Sequence, residues 1–301
     1  MAAERQISGK VAVVTGATGG VGNALAKALV REGARVSICD LDPELVEQAV
    51  VELNSLSGGE AIGSAVDLSD REAYSAFLRE TEEKLGPIDI LVNNAGIMPV
   101  GPFEEETEAT AAKQIDVNFH AVLHGTKEAL KRMKPRGSGH IVNVASGAGW
   151  VPGAGGVTYS ATKFAVNGMT QALALELHGS GVDVSVVAPA VIKTQLSSGI
   201  KEVKGLRPVT PEEVADAIVD GIKKPRFAIF VPRSMGVMSH VYSVLPYKAR
   251  GLLARTTGSD KLLLNVDRAA RAEYEAKVGL GQTEASGGGG SKRRQKASAK
   301  S

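Results

Sequence analysis

An α/β fold is predicted for this 301-residue sequence: a doubly wound, seven-stranded parallel sheet with helices on both faces and a helical extension at the carboxyl end. Short apolar runs are nearly continuous, as strands buried on both faces must be, and each is followed by apolar residues at helical spacing. Glycine or asparagine clusters fall where several of the runs end. Strands alternating with helices through short loops require parallel pairing, because each helix returns the chain to its starting edge.

The first strand is expected over Lys10–Thr15 (KVAVVT), followed by TGATGGVG at Thr15–Gly22 and a helical pattern at Val21, Leu25, Ala28 and Leu29. Strand, glycine turn and helix in that order form the context of a phosphate-binding loop. Glycines let the backbone turn tightly against a pyrophosphate, whose charge the free N–H groups of the helix start meet. Gly16, Gly20 and Gly22 take that role, at a spacing that departs from G-x-G-x-x-G. The second strand, Ala34–Cys39, ends at Asp40, where a carboxylate accepts from a ribose diol and repels a 2′-phosphate. Ala17, Thr18, Gly19 and Leu41 supply no cation there, so NAD is expected over NADP. A capping role suits Asp42, before Pro43, better than Asp40.

A helix from about Pro43 to Leu53 leads to a third strand, Ala61–Val66, which ends at Asp67. A helix over Asp70–Leu85 stops at Gly86-Pro87, and a fourth strand, Ile88–Val92, runs into Asn93-Asn94-Ala95-Gly96. Asp67 and this turn fall at carboxyl ends of strands, where such sheets bind ligands. One long helix is expected from about Thr107 to Met133, and Asn118, a poor helix former in its interior, asks for a reason. His120 and His124 have the i, i+4 spacing of metal ligands, but no zincin Glu or other ligand cluster accompanies them, and no metal is expected.

The fifth strand, His140–Val144, delivers Ser146. The next helix, about Gly156–His178, carries Tyr159 and Lys163 in its first two turns, on one face, so that phenol and ammonium can meet. A phenol is protonated at neutral pH, and a neighbouring cation has the sign that favours the phenolate. A sixth strand, Asp183–Val187, leads to PAVIKT; a helix over Pro211–Lys223 and a strand over Phe227–Val231 complete a domain of residues 1–232.

With Thr15, Gly16, Gly20, Gly22, Asp67, Asn93 to Gly96, Asn118, Ser146, Tyr159 and Lys163 in this order, residues 8–232 resemble a short-chain dehydrogenase/reductase, a Rossmann-type fold. Pro189, Ile192 and Thr194 also match; Ala190 departs, standing where many members carry glycine. The resemblance implies hydride transfer between nicotinamide C4 and an alcohol or carbonyl carbon. Tyr159 would be the general base, its pKa lowered by Lys163 and by the positive nicotinamide ring, and Ser146 would hold the substrate oxygen. Lys163 would also bind the nicotinamide ribose, Asn118 would anchor a proton-relay water, and Thr194 with the Ile192 backbone would fix the carboxamide. The implied cofactor site further takes in Val21, Leu68, Asn94, Ala95, Gly96 and Pro189. Met98, Val100, His120, Trp150 and Val151 are the candidate pocket walls beside Ser146, mostly apolar, which points to a hydrophobic, lipid- or steroid-like alcohol or ketone. A homodimer or homotetramer is implied. A catalytically silent NAD-sensing protein and an NADP-dependent ketoreductase are the alternatives.

Formal charge is +2, and five of the 35 basic residues, Lys292, Arg293, Arg294, Lys296 and Lys300, lie in a Gly/Ser-rich tail over 285–301. The remainder is mildly acidic, which gives no footprint for nucleic acid. The tail has no apolar anchor and is expected to be disordered. A single cysteine, Cys39, excludes an internal disulfide and suits a reducing compartment. No apolar signal core and no bilayer-length run are present, so a cytoplasmic protein is expected. In the extension over 233–284, Met235, Met238, Val241, Tyr242, Leu245, Ala249, Leu252 and Leu253 recur at helical spacing around Pro246, among Arg233, Lys248, Arg250 and Arg255. A further helix is expected over Asp267–Lys277. This stripe reads as a lid over the pocket or a subunit contact; weak docking on a membrane surface is the alternative that flotation with anionic liposomes separates.

Overall fold

The structure, a computed structural model, describes residues 4–200, 207–257 and 260–277. Seven strands, β1 Val11–Thr15, β2 Arg35–Asp40, β3 Ala61–Ala65, β4 Ile88–Asn93, β5 Gly139–Val144, β6 Val182–Pro189 and β7 Ala228–Val231, pair in parallel in the order β3-β2-β1-β4-β5-β6-β7. The direction of winding reverses between β1 and β4, so the loops after these strands part and leave a crevice at their carboxyl ends. The expected fold class is the observed one. The basic tail lies outside the described residues.

Why the strands are apolar throughout is visible in β1. Ala12 and Val14 join a core with Leu25, Leu29 and Ile218, while Val11 and Val13 join another with Tyr74, Phe77, Leu78 and Met133. Period-two alternation thus buries both faces. The helices in order are α1 Gly20–Arg31, α2 Pro43–Ser55, α3 Arg71–Leu85, α4 Glu108–Ile115, α5 Ala121–Met133, α6 Val157–Glu176, α7 Pro211–Lys223, α8 Ser234–Val244, α9 Tyr247–Thr257 and α10 Arg268–Lys277. Their starts are written in side chains. Asp42 accepts from the N–H groups of Glu44 and Leu45, with Pro43 as the first helical residue, and Asp70 caps α3 in the same way. Thr210 and Glu213 form a reciprocal capping box before α7.

The single helix expected from Thr107 to Met133 is in fact three pieces. Thr107 is a cap, its Oγ1 accepting from Thr110 N at 3.1 Å, and a π-helical turn over Asp116–His120 separates α4 from α5. Such a turn inserts one residue into the ladder and re-aims the side chains on it. Asn118 lies there, fully buried; Oδ1 accepts from Ile97 N and Nδ2 donates to Ile97 O, both at 2.8 Å. Its poor helix propensity and its place in the helix are therefore one fact: the α-ladder is already broken where it sits.

Polar groups inside are paired into chains. Tyr74 donates to Asn93 Oδ1 at 2.9 Å, Asn93 Nδ2 donates to Asn143 Oδ1 at 2.9 Å, and Asn143 Nδ2 donates to Thr170 Oγ1 at 3.1 Å. His140 on β5 is only half satisfied. Its Nε2 lies 2.8 Å from Ser185 Oγ, which donates to Arg226 O, so Nε2 carries the proton; Nδ1 has no partner among the described residues. Burial holds its pKa down at about 4, against a smaller opposing pull from Asp183.

Because the folded pKa of His140 is depressed below 6.5, its contribution is intact above that value and is lost as pH falls toward 4. His140→Asn should remove about 3 kcal/mol of the acid destabilisation between pH 7 and pH 4, read as the difference in urea-unfolding free energy. Two glycines offer an opposite pair of outcomes. A Cβ on Gly22 would sit 2.1 Å from Gly16 O, whereas one on Gly168, in α6, meets nothing within 4 Å. Gly22→Ala should cost roughly 1–3 kcal/mol and Gly168→Ala should add about 0.5–1 kcal/mol, measured by denaturant melts.

Candidate active site

The crevice at the reversal of winding opens into a cavity of about 1300 Å³. Small-molecule pockets are typically about 300–1000 Å³, so this one has room for a dinucleotide and a second molecule. Its floor is the glycine turn. Asn94 Nδ2 donates to Thr15 O at 2.9 Å and Gly16 O at 3.0 Å, while Thr15 Oγ1 accepts from Asn94 N at 2.9 Å and Ala95 N at 3.1 Å. Thr15 and Gly22 are structural supports behind the cavity wall; Gly16, Gly20, Val21, Asn94, Ala95 and Gly96 line it. No side chain caps the start of α1 and its first turn carries no acid, so its N–H groups are free to face an anion. These features fit a pyrophosphate.

Asp40 borders the same cavity. Its Oδ2 accepts from Thr18 Oγ1 at 2.6 Å and Thr18 N at 3.1 Å, and Oδ1 from Leu41 N at 2.8 Å, which fixes the carboxylate at the rim. Asp67 and Leu68 lie on the lining too, Asp67 held by Ser69 at 2.7 Å. So do Pro189, Ile192 and Thr194, across from the glycine turn. The glycine loop itself carries no cation, yet Lys27 and Arg31 of α1 reach the lining. Lys27 is taken by Glu52 at 2.6 Å.

Ser146, Tyr159 and Lys163 meet on the opposite wall. The turn after Ser146 packs directly on α6: a Cβ on Gly149 would lie 2.6 Å from Lys163 O, and Asn167 Nδ2 donates to Gly149 O at 3.0 Å. That contact brings the Ser146 hydroxyl beside the Tyr159 phenol, where it favours the ionised form. Lys163 is 4 % exposed, donates to Val144 O at 3.1 Å and lies 5.7 Å from the centre of the Tyr159 ring. No carboxylate pairs with it among the described residues, and desolvation lowers its pKa to about 8. Asn118 stands behind this wall, its Nδ2 donating also to Thr162 Oγ1 at 3.3 Å.

The expected lowering of the Tyr159 pKa is not present in the protein alone. Burial of the phenol pushes it up, and the neighbouring Ser146 hydroxyl offsets that only in part. At neutral pH Tyr159 is therefore a proton donor.

Of the expected pocket walls, Met98, Val151 and Ser146 line the cavity; Val100, His120 and Trp150 do not. Trp150 turns toward Phe230, with ring centres 5.1 Å apart, and His120 Nδ1 faces Asp116 Oδ1 at 2.8 Å. Among the described residues no cluster of His, Cys, Asp or Glu could hold a metal. Further parts of the wall come from the extension. Met235 and Met238 of α8, Leu262 and Leu263 of the segment before α10, and Tyr274 of α10 complete the lining. The stripe at Met235 and Met238 had suggested a lid; Tyr274 carried a weaker signal, an aromatic residue in an otherwise polar helix.

Comparison with known proteins agrees with this geometry. The family described as short chain dehydrogenase matches residues 10–205. The 2,5-dichloro-2,5-cyclohexadiene-1,4-diol dehydrogenase of Sphingobium indicum is 36 % identical over 195 residues, 65 % of this chain and 78 % of that protein. A 3alpha-hydroxysteroid dehydrogenase of Mediterraneibacter gnavus is 32 % identical over 267 residues, 88 % of this chain and 98 % of that one. A short chain dehydrogenase/reductase from Burkholderia phymatum, solved in complex with NAD, superposes with a TM-score of 0.73 at 26 % identity, over 79 % of this chain and 94 % of that one. No helix among the described residues is long and apolar enough to cross a membrane. The order of the strands, the glycine turn and the Ser146, Tyr159 and Lys163 wall, together with a match over most of the sheet, make this chain a member of the short-chain dehydrogenase/reductase family.

Proposed function

We propose that the chain is an NAD-linked dehydrogenase interconverting a secondary hydroxyl and a ketone on an apolar, steroid- or lipid-like substrate. The observation that carries this reading is the convergence of Ser146, Tyr159 and Lys163 on a cavity whose other end is the uncapped start of α1. A nicotinamide cofactor held in this cavity would supply the hydride acceptor for an alcohol or the hydride donor for a ketone. The remaining work belongs to the side chains. Ser146 donates to the substrate oxygen and stabilises charge developing there. Tyr159, neutral at pH 7 through burial, gives its proton to a ketone oxygen or, once ionised, takes the proton of an alcohol. Lys163 supplies the positive charge that favours that ionised state.

The preference for NAD rests on Asp40. A 2′-phosphate would meet its fixed carboxylate first, and Arg31, at the far end of α1 roughly 16 Å from the glycine turn, compensates only in part. The apolar substrate follows from Met98, Val151, Met235, Met238 and Leu263 on the lining, and from similarity to a hydroxysteroid dehydrogenase that extends through the extension. Val157, Phe164 and Leu175 form an exposed apolar line on α6, at 47, 42 and 81 % exposure, which supports a homo-oligomer.

Following NADH absorbance across hydrophobic alcohols and ketones tests the activity. Tyr159→Phe should lower turnover by about 10³-fold or more while cofactor binding, measured by fluorescence titration, stays within about twofold. Alcohol oxidation should rise with pH, because the base form of Tyr159 is scarce below its raised pKa, and Lys163→Met should displace that rise to higher pH. Asp40→Ala should weaken NAD binding and close the gap to NADP by roughly 10- to 100-fold; a wild-type preference for NADP would refute the NAD assignment.

A further inference from the structure

The last helix reaches back over the cavity and is fastened there by an unusual residue. Arg271 on α10 is 0 % exposed, the largest fully buried side chain among the described residues. Its guanidinium donates to Met98 O at 2.6 Å, to Ser198 O at 3.0 Å and to Leu196 O at 3.3 Å, and its Nε to Glu275 Oε1 at 3.4 Å. Four acceptors leave little of its donor capacity for a ligand. Its part is to hold α10 against two cavity segments, the loop after β4 and the stretch at Leu196–Ser198. A backbone bond from Asp267 N to Gly199 O, at 3.0 Å, adds to the same seam.

Three residues on, Tyr274 lies on the cavity lining, 7 % exposed, with the Arg271 guanidinium carbon 5.1 Å from its ring centre. Its hydroxyl accepts from Met98 N at 2.7 Å. That bond uses a lone pair; the phenol's own proton meets no acceptor among the described residues. Burial raises its pKa to about 12, so this proton stays in place across the working pH range. Tyr159 is near enough that its ionisation adds to the rise. The cavity therefore holds two phenols of different kind. Tyr159 lies beside Ser146 and Lys163, and Tyr274 is a fixed donor on the lid side.

We infer that Tyr274 is a specificity-determining contact that donates a hydrogen bond to a second oxygen of the substrate, remote from the reacting carbon. The substrate class is then an apolar ring compound with two oxygen functions, one converted at Tyr159 and one, a hydroxyl or carbonyl, held at Tyr274. This rests on the oxidoreductase reading of the same cavity. An apolar wall alone would not discriminate strongly against an added hydroxyl, whereas a buried donor left unpaired disfavours the analogue that lacks the acceptor.

The test is steady-state kinetics with NAD on saturated one- to four-ring secondary alcohols, each compared with its diol and hydroxy-ketone counterparts. Wild type should prefer the best two-oxygen substrate over its one-oxygen partner by roughly three- to tenfold in kcat/KM. Tyr274→Phe should erase that preference, mainly through KM, the two-oxygen substrate losing more than its one-oxygen partner. Tyr274→His, which keeps a donor, should restore part of it. Equal losses on both substrates would mean that Tyr274 only braces the Met98 loop, and would overturn the inference, as would a wild type indifferent to the second oxygen. That second outcome needs no variant to fold. If wild type turns over none of the compounds with NAD or NADP, the oxidoreductase reading itself fails; turnover without the preference removes the inference alone.

Discussion

Where a parallel sheet changes its direction of winding, two neighbouring strands end with nothing between their loops, and something must hold that gap at a fixed width. Here Thr15 and Asn94 do so. One hydroxyl receives two backbone N–H groups from the β4 side, and one amide returns two bonds to the backbone of the β1 side. This short polar bracket substitutes for ladder bonds that the diverging chains can no longer make. The glycine turn, the start of α1 and the Ala95–Gly96 segment all take their positions from it.

The second constraint is the buried ammonium of Lys163. A cation without a carboxylate partner at 4 % exposure is an unfavourable thing to fold around. The surroundings limit the cost through one carbonyl, Val144 O, and through the π-face of Tyr159. The strain is visible in its depressed pKa. Proteins tolerate such a group where its charge is used, and a site that must stabilise a phenolate is one such place. In the protein alone burial pushes both side chains toward their neutral forms: at neutral pH the phenol keeps its proton, while the lysine, at about 8, still keeps its charge.

How much of this was legible before the fold was known follows from what each feature depends on. KVAVVT, the turn after it and the cap at Asp42 obey local rules, and the parallel pairing of the strands follows from their alternation with helices. The wall of Ser146, Tyr159 and Lys163 was also readable, because each comes from a strand end or a helix start at the same edge. The π turn at Asn118 was not, since its cause is the backbone of Ile97, a partner on another element. Nor was the rise in the Tyr159 pKa, which follows from burial that no spacing reveals. Trp150 misled for a related reason: it sits beside Ser146 in sequence, yet its ring is turned to Phe230. Arg271 carried no signal of its own in the sequence, because its three carbonyl partners lie on other segments.

The way Arg271 grips has a consequence for how this cavity varies. Every acceptor on its far side is a main-chain oxygen, of Met98, Leu196 and Ser198, so the grip is blind to which side chains those residues carry. The same holds for Asp267, whose N–H meets Gly199 O. Drift in the side chains at 98, 196 and 198 would reshape the interior surface without unfastening the helix that closes it. Conversely, the closing helix could be exchanged for another bearing a guanidinium at that one place. Ligand selection and the proton-handling machinery of the sheet edge are in that sense separately inherited parts of one cavity.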